Sequence, residues 1–121
     1  MAEQSFTSVR EDRATRRRVV ITGAGALSPV GNTAAETWAS FIAGKSGAAR
    51  VEHFDTSPYQ ARLACEIKGF DPASFIDPKE ARRMARCSQI AIVAAREAVA
   101  DAGLDMGRED RERIGVAMGT G

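Results

Sequence analysis

Apolar and polar positions recur along this chain with periods that predict both strands and helices. Residues 19–22 form a β-branched run that leads into glycines at 23 and 25. This order predicts a buried strand over about residues 18–24 that ends in a tight turn. Residues 62–68 alternate apolar with mostly charged side chains, which predicts a half-buried strand. Residues 114–118 alternate large apolar with small residues, a pattern typical of a strand covered on both faces.

Two helices have recognisable starts. Thr33 and Glu36 have the spacing of a capping box, and Gly44 provides a stop signal. The apolar face of this first helix is predicted to comprise Trp38, Phe41 and Ile42. Asp77 followed by Pro78 and Glu80 predicts a second start, from which helical character runs to residue 102 before Gly103.

The second predicted helix is apolar on nearly every side. Between residues 90 and 100 only Arg96 and Glu97 are charged. Such a helix is buried on all sides rather than lying at a surface. The other predicted elements are too few to surround it, so the chain is expected to be part of something larger.

Composition and charge exclude several classes of function. The chain has 121 residues and a net charge of +1, so it carries no general signal for nucleic acid. It has no apolar run long enough for a membrane span and no secretory signal. Two cysteines without a close pair indicate a reducing compartment, and we expect a cytoplasmic protein. Residues 1–17 are predicted to form a flexible polar arm.

Two glycine motifs resemble phosphate-binding loops but fail on detail. After Gly23-Ala24-Gly25, a dinucleotide site needs a third glycine where the chain has Ser28, and Pro29 then delays the next helix. Gly44-Lys45-Ser46 resembles the end of a P-loop, but it would end a helix, whose carbonyl end repels phosphate. Both are interpreted as structural turns, and we expect no cofactor.

The cysteines and the histidine do not form a convincing catalytic pair. Cys65 falls in the predicted strand, where a buried thiol behaves as a small apolar group, and Cys87 falls inside the second helix. His53 lies in a predicted loop. Neither cysteine has the helix N-terminus, cation or histidine partner that activates a thiolate, and no metal-ligand spacing exists.

A cluster of cations is the best functional candidate. Four basic residues have the spacing i, i+3, i+4, i+7, which would place them on one face of the second helix. They are Lys79, Arg82, Arg83 and Arg86. Cations in the first turns oppose the helix dipole, at a cost of about 0.3–1 kcal/mol each, so their presence suggests an anionic partner. A solvated charged face is the alternative.

The order of these segments resembles the N-terminal part of the β-ketoacyl-acyl carrier protein synthases, most closely the type II enzymes of fatty acid synthesis. The resemblance covers about residues 17–121. It rests on RVVITGAGALSPVG (18–31), GKSG (44–47), EIKGFDP (66–72), KEARRM (79–84), DAG (101–103) and RIGVAMGTG (113–121). It implies an α/β, thiolase-like layered fold (α-β-α-β-α), of which residues 18–121 would be an incomplete, truncated N-terminal portion. Ala85 and Cys87 depart from the family pattern, which commonly has an acid and an aromatic there.

The resemblance implies a decarboxylating Claisen condensation, an acyltransferase activity. The family's nucleophilic cysteine and two histidines would lie beyond Gly121, so this piece alone is predicted to be inactive and to hold no catalytic residue. Lys79, Arg82 and Arg83 match the family's docking positions for the acidic acyl carrier protein, and spacing adds Arg86. The full-length parent would be a homodimer. A ketosynthase domain of a polyketide synthase, a non-catalytic carrier-docking module and a nucleotide-binding protein remain as alternatives.

Overall fold

The computed structural model describes residues 17–119. The described helices and strands are α1 (Ala34–Ile42), β1 (Ala49–Arg50), β2 (Leu63–Ala64), α2 (Pro78–Ala81) and α3 (Arg86–Asp101), with short 3₁₀ turns at Pro72–Ser74 and Arg111–Arg113. Most of the predicted polar arm and the last two residues of the C-terminal glycine-rich segment lie outside the described range.

The predicted start and stop of α1 are confirmed. The Thr33 side chain accepts a hydrogen bond from the Glu36 amide at 3.1 Å, and Glu36 Oε2 accepts one from the Asn32 amide at 2.8 Å. In a standard capping box the Glu36 side chain would accept from the amide of Thr33, so here the reciprocal bond reaches one residue further toward the N-terminus. Gly44 then adopts a φ of +64°, the left-handed conformation that commonly ends a helix.

The packed face of α1 is polar, contrary to the prediction. Its buried residues are Thr37 and Ser40. Ser40 Oγ donates to the Val30 carbonyl at 2.8 Å, and the hydroxyls of Thr37 and Ser28 lie 2.9 Å apart. Hydrogen bonds to the loop around residues 28–31 therefore turn the face of α1 with small hydroxyl side chains toward that loop. The predicted apolar face is left exposed by 60–72%, at Trp38, Phe41 and Ile42.

The prediction of one helix over residues 77–102 is wrong. Asp77 caps α2 as expected, accepting from the amides of Lys79 and Glu80. The amides of Arg83 and Met84 then donate to carbonyls three residues back, instead of the four of an α-helix. Ala85 then has a ψ of 152°, which breaks the helical path before α3 begins. The end of α3 is as predicted, with Gly103 at φ +65°.

The predicted strands are largely absent from the described residues. Segments 18–24 and 114–118 have no regular secondary structure, and the strand expected at 62–68 contracts to β2. Within residues 17–119 the only ladder pairs Ala49 with Ala64 and Arg50 with Leu63, antiparallel. A strand forms only where a neighbour takes up its backbone hydrogen bonds, and no described segment does so for the other two.

A small apolar core lies where α2 and the first half of α3 meet the preceding loop. Its buried members are Phe70, Ile76, Ala81 and Val93. The expectation that α3 is buried on all sides is not met within residues 17–119, because Val93 is the helix's single buried residue. Ala95, Val99 and Ala100 remain exposed, since no described element covers that side.

Candidate functional site

The predicted basic residues lie close together in sequence but not on one helix. Lys79 belongs to α2, Arg82 and Arg83 to the turn that follows, and Arg86 is the first residue of α3. All four residues are exposed. The break at Ala85 removes the i, i+7 register that related Lys79 to Arg86, so the four cannot be treated as one helical stripe.

Arg86 is engaged within the molecule. Its guanidinium carbon lies 4.4 Å from the centroid of the Phe70 ring, a cation–π arrangement. Both terminal nitrogens also donate to the Phe70 carbonyl at 3.4 Å. Arg86 therefore ties the start of α3 to the core, and its cation is only partly available to a partner.

The other three cations are open to solvent. Lys79, Arg82 and Arg83 form no ion pair with any other described residue. Segment 77–86 contains four basic and two acidic residues, a local net charge of +2. One of the two acids, Asp77, has its carboxylate turned to the first amides of α2. These three cations, Lys79, Arg82 and Arg83, are called the basic cluster below.

The glycine turn at residues 23–25 is held by carboxylates. Asp101 Oδ2 accepts from the Ala24 amide at 2.9 Å, and Glu97 Oε2 accepts from the Ala26 amide at 2.8 Å. The other Glu97 oxygen accepts from the Ala34 amide at the start of α1, also at 2.8 Å. Carboxylates thus occupy the amides that a phosphate would need, and they would repel one. The structure supports the interpretation of a structural turn.

The glycines themselves permit close packing on α3. A Cβ at Gly23 would meet the Ala98 carbonyl, and a Cβ at Gly25 would meet the Ala94 carbonyl. Both positions require glycine because backbone lies against backbone. The other glycine motif, at residues 44–46, follows the carbonyl end of α1, as predicted.

Neither cysteine has the features of a nucleophile. Cys65 and Cys87 are free thiols and both are exposed, so the predicted burial of Cys65 is wrong. Leu63, two residues earlier and on the same face, is itself 72% exposed, so the described residues leave this face of the predicted strand open at both positions. His53 is 71% exposed, and its Nε2 lies 3.9 Å from Glu66 Oε1. Across the described residues, no group of three or more potential ligands could hold a metal ion. None of the helices described there is suited in length and apolarity to cross a bilayer.

Sequence reasoning missed the residues that position these segments, namely Phe70, Glu97 and Asp101. One signal was available. Glu97 and Asp101 are acids four residues apart on a mostly apolar helix, so they share one face of α3, and that face meets the glycine turn. Acids at such positions need donors, and backbone amides supply them here.

Known proteins with similar sequences and structures agree on one family. Residues 16–121 match the family described as "Beta-ketoacyl synthase, N-terminal domain". The chain is 52% identical over 105 residues to 3-oxoacyl-[acyl-carrier-protein] synthase 2 of Staphylococcus aureus (strain COL), covering 87% of this chain and 25% of that protein. It is 46% identical over 107 residues to the synthase of the same name from Vibrio cholerae, covering 88% and 26%.

A solved structure, the ishigamide ketosynthase/chain length factor, superposes with a TM-score of 0.70 at 42% identity, covering 77% of this chain and 23% of that one. The chain thus spans about a quarter of the length of the relatives it matches. It shares the thiolase-like fold of these proteins in part, as the predicted α/β class required. This chain belongs to the β-ketoacyl synthase family, within its N-terminal domain.

Proposed function

We propose that this chain is the N-terminal part, residues 18–121, of a type II β-ketoacyl-acyl carrier protein synthase of fatty acid synthesis, preceded by a polar arm. The observation that carries the proposal is 52% identity over 105 residues to a 3-oxoacyl-[acyl-carrier-protein] synthase 2. The "complete synthase" below means this chain together with the remaining three quarters that its relatives possess.

The reaction is a condensation of two carrier-bound acyl groups. A cysteine thiolate takes the acyl chain from its carrier thioester and releases the carrier thiol. Malonyl-carrier then loses CO₂, and the resulting enolate attacks the acyl-cysteine carbonyl. A carbon–carbon bond forms and the thiolate leaves. Two histidines stabilise the developing negative charges. These three residues belong to the part of the complete synthase beyond residue 121, so the present chain alone is inactive.

The role of this chain in that reaction is to dock the carrier. The basic cluster is solvent-exposed and forms no ion pair with described residues, which leaves its charge available to an acidic protein. Arg86 takes a lesser part, because its guanidinium already stacks on Phe70. A homodimer of the complete synthase and a cytoplasmic location, consistent with two free thiols, belong to the same proposal.

Charge reversal tests the docking role. In the complete synthase, Arg82→Glu with Arg83→Glu should raise the Kd for the acyl carrier protein at least about tenfold at low salt. The effect should shrink as salt screens the charges. The matched control is Arg50→Glu with Arg113→Glu, the same charge change at exposed positions outside the cluster that also form no ion pair with described residues. Equal affinity of the two double variants would contradict the docking surface.

A polyketide ketosynthase is the second candidate, favoured by the structural match to a ketosynthase/chain length factor. Product analysis separates the two. A complete synthase that condenses malonyl-carrier once with saturated acyl-carriers is the fatty acid enzyme. One that extends an unreduced β-keto chain repeatedly is the polyketide enzyme. Absence of any condensation by the complete synthase would overturn both.

A further inference from the structure

A small open cavity lies directly beside the basic cluster. Its volume is about 190 Å³, and its lining residues come from the first 3₁₀ turn, from α2 and the turn after it, and from the first part of α3. They are Pro72, Ala73, Pro78, Ala81, Arg82 and Gln89. Four of the six are proline or alanine, so the floor is apolar, and Arg82 brings a cation to the rim.

The walls of this cavity are preorganised. Pro72 and Pro78 begin their turns with φ fixed by the ring, and Asp71 and Asp77 cap those turns. Gln89 Nε2 donates to the Ala81 carbonyl at 2.8 Å, which holds α3 against the end of α2. A rigid concavity loses little entropy when it is filled, so even a small apolar contact there contributes to affinity.

The surrounding charge identifies the kind of occupant. Arg82 lines the cavity, and Lys79 and Arg83 flank it in sequence, all exposed and without a described ion-pair partner. If an apolar part of the same protein covered these cations, they would lose their contact with water without gaining an opposite charge. An acidic protein surface that carries one apolar side chain would satisfy the charges and the floor together.

We propose that this cavity receives one apolar side chain from the acidic surface of the acyl carrier protein, and so supplies the apolar anchor of the docking site. The inference rests on the proposed function. The inference adds that recognition of the carrier depends on the shape of this cavity as well as on the charge of the basic cluster. The basic cluster governs encounter and salt dependence, and the cavity governs how long the complex persists.

Filling the cavity without changing charge tests the proposal. In the complete synthase, Ala73→Phe should raise the Kd for the carrier about tenfold, while the slope of log Kd against log salt stays that of the unmodified protein. Ala61→Phe is the matched control, because Ala61 is also exposed but lies outside the cavity. Ala73→Val, a smaller change, should raise the Kd partially and serves if the phenylalanine variant fails to fold.

The outcomes separate this inference from the proposed function. If reversal of Arg82 and Arg83 weakens binding while both Ala73 variants bind as the control does, the cavity proposal is wrong and the docking surface stands. If reversal has no effect, the docking surface itself fails. If the Ala73 variants lower the melting temperature of the complete synthase and the control does not, the cavity is filled by the protein's own chain. If the Ala73 variants change its oligomeric state, the cavity is filled by a second copy of the synthase. Either result overturns the proposal.

Discussion

Glu97 connects three segments with one side chain. Its two oxygens accept from the amides of Ala26 and Ala34, so α3, the glycine turn and the start of α1 meet at one carboxylate. Periodicity predicted an apolar helix but not this role, because hydrophobic patterns carry no information about which distant amides lack partners. The caps at Thr33 and Asp77 were predictable, since their donors lie within three residues along the chain.

Glu97→Gln should destabilise the complete synthase by about 1–3 kcal/mol. The glutamine carbonyl oxygen still accepts from one backbone amide, but the NH₂ group faces the other, so that backbone N–H and the NH₂ are both left without an acceptor. Urea unfolding followed by circular dichroism measures the effect. Glu109→Gln, at an exposed position, should change stability little; equal losses for the two variants would show that the contacts of Glu97 contribute nothing specific.

Gly25→Ala should also destabilise the complete synthase, by at least about 1–3 kcal/mol, because the added methyl meets the Ala94 carbonyl and the loop must move off α3. Gly115→Ala is the matched control, since a Cβ there meets no atom of residues 17–119 within 4 Å. Differential scanning calorimetry gives the comparison. Tolerance of alanine at residue 25 would mean that the close approach is not maintained.

At the scale of elements, local signals located helix starts and stops better than they located strands. Capping residues and glycines act through neighbouring backbone, so α1 and the end of α3 follow the sequence closely. The interruption at Ala85 was not predicted, because alanine is a strong helix former and gives no stop signal. Strands depend on partners elsewhere, and residues 18–24 and 114–118 have none among the described residues.

The start of α3 offers a stabilising substitution. Ala85 occupies the N-cap with an extended backbone and makes no side-chain cap hydrogen bond. Ala85→Asp should add about 0.5–2 kcal/mol to the stability of the complete synthase, by accepting from an amide in the first turn. Ala85→Leu, which cannot accept, should not. Melting temperatures of the two variants decide the matter, and no gain for the aspartate would indicate that those amides are already satisfied.

At the scale of the molecule, much apolar surface is open within residues 17–119. Val19, Ile21 and Val116 are 88–92% exposed, and Trp38 and Ile42 exceed 60%. The expected layered fold is therefore only partly assembled from these residues, which agrees with a chain that spans about a quarter of its relatives. Sequence pattern indicated this through α3, whose apolar sides outnumber the elements available to cover them.

The 121-residue chain expressed alone should consequently be poorly folded or aggregate. We expect bound ANS fluorescence and a poorly dispersed amide spectrum, in contrast to the complete synthase under the same conditions. A soluble monomer with sharp, dispersed amide resonances would contradict this expectation and would favour the self-standing docking module.

The bonds of Glu97 also set an order of events during synthesis on the ribosome. They join residues 71 and 63 positions apart in the chain. At roughly 5–20 residues per second, the glycine turn and the start of α1 wait on the order of 3–14 s before their anchor has been translated. During that interval the β-branched run before the turn is exposed and unanchored. A nascent chain of this family would therefore need protection by a chaperone earliest at its N-terminus.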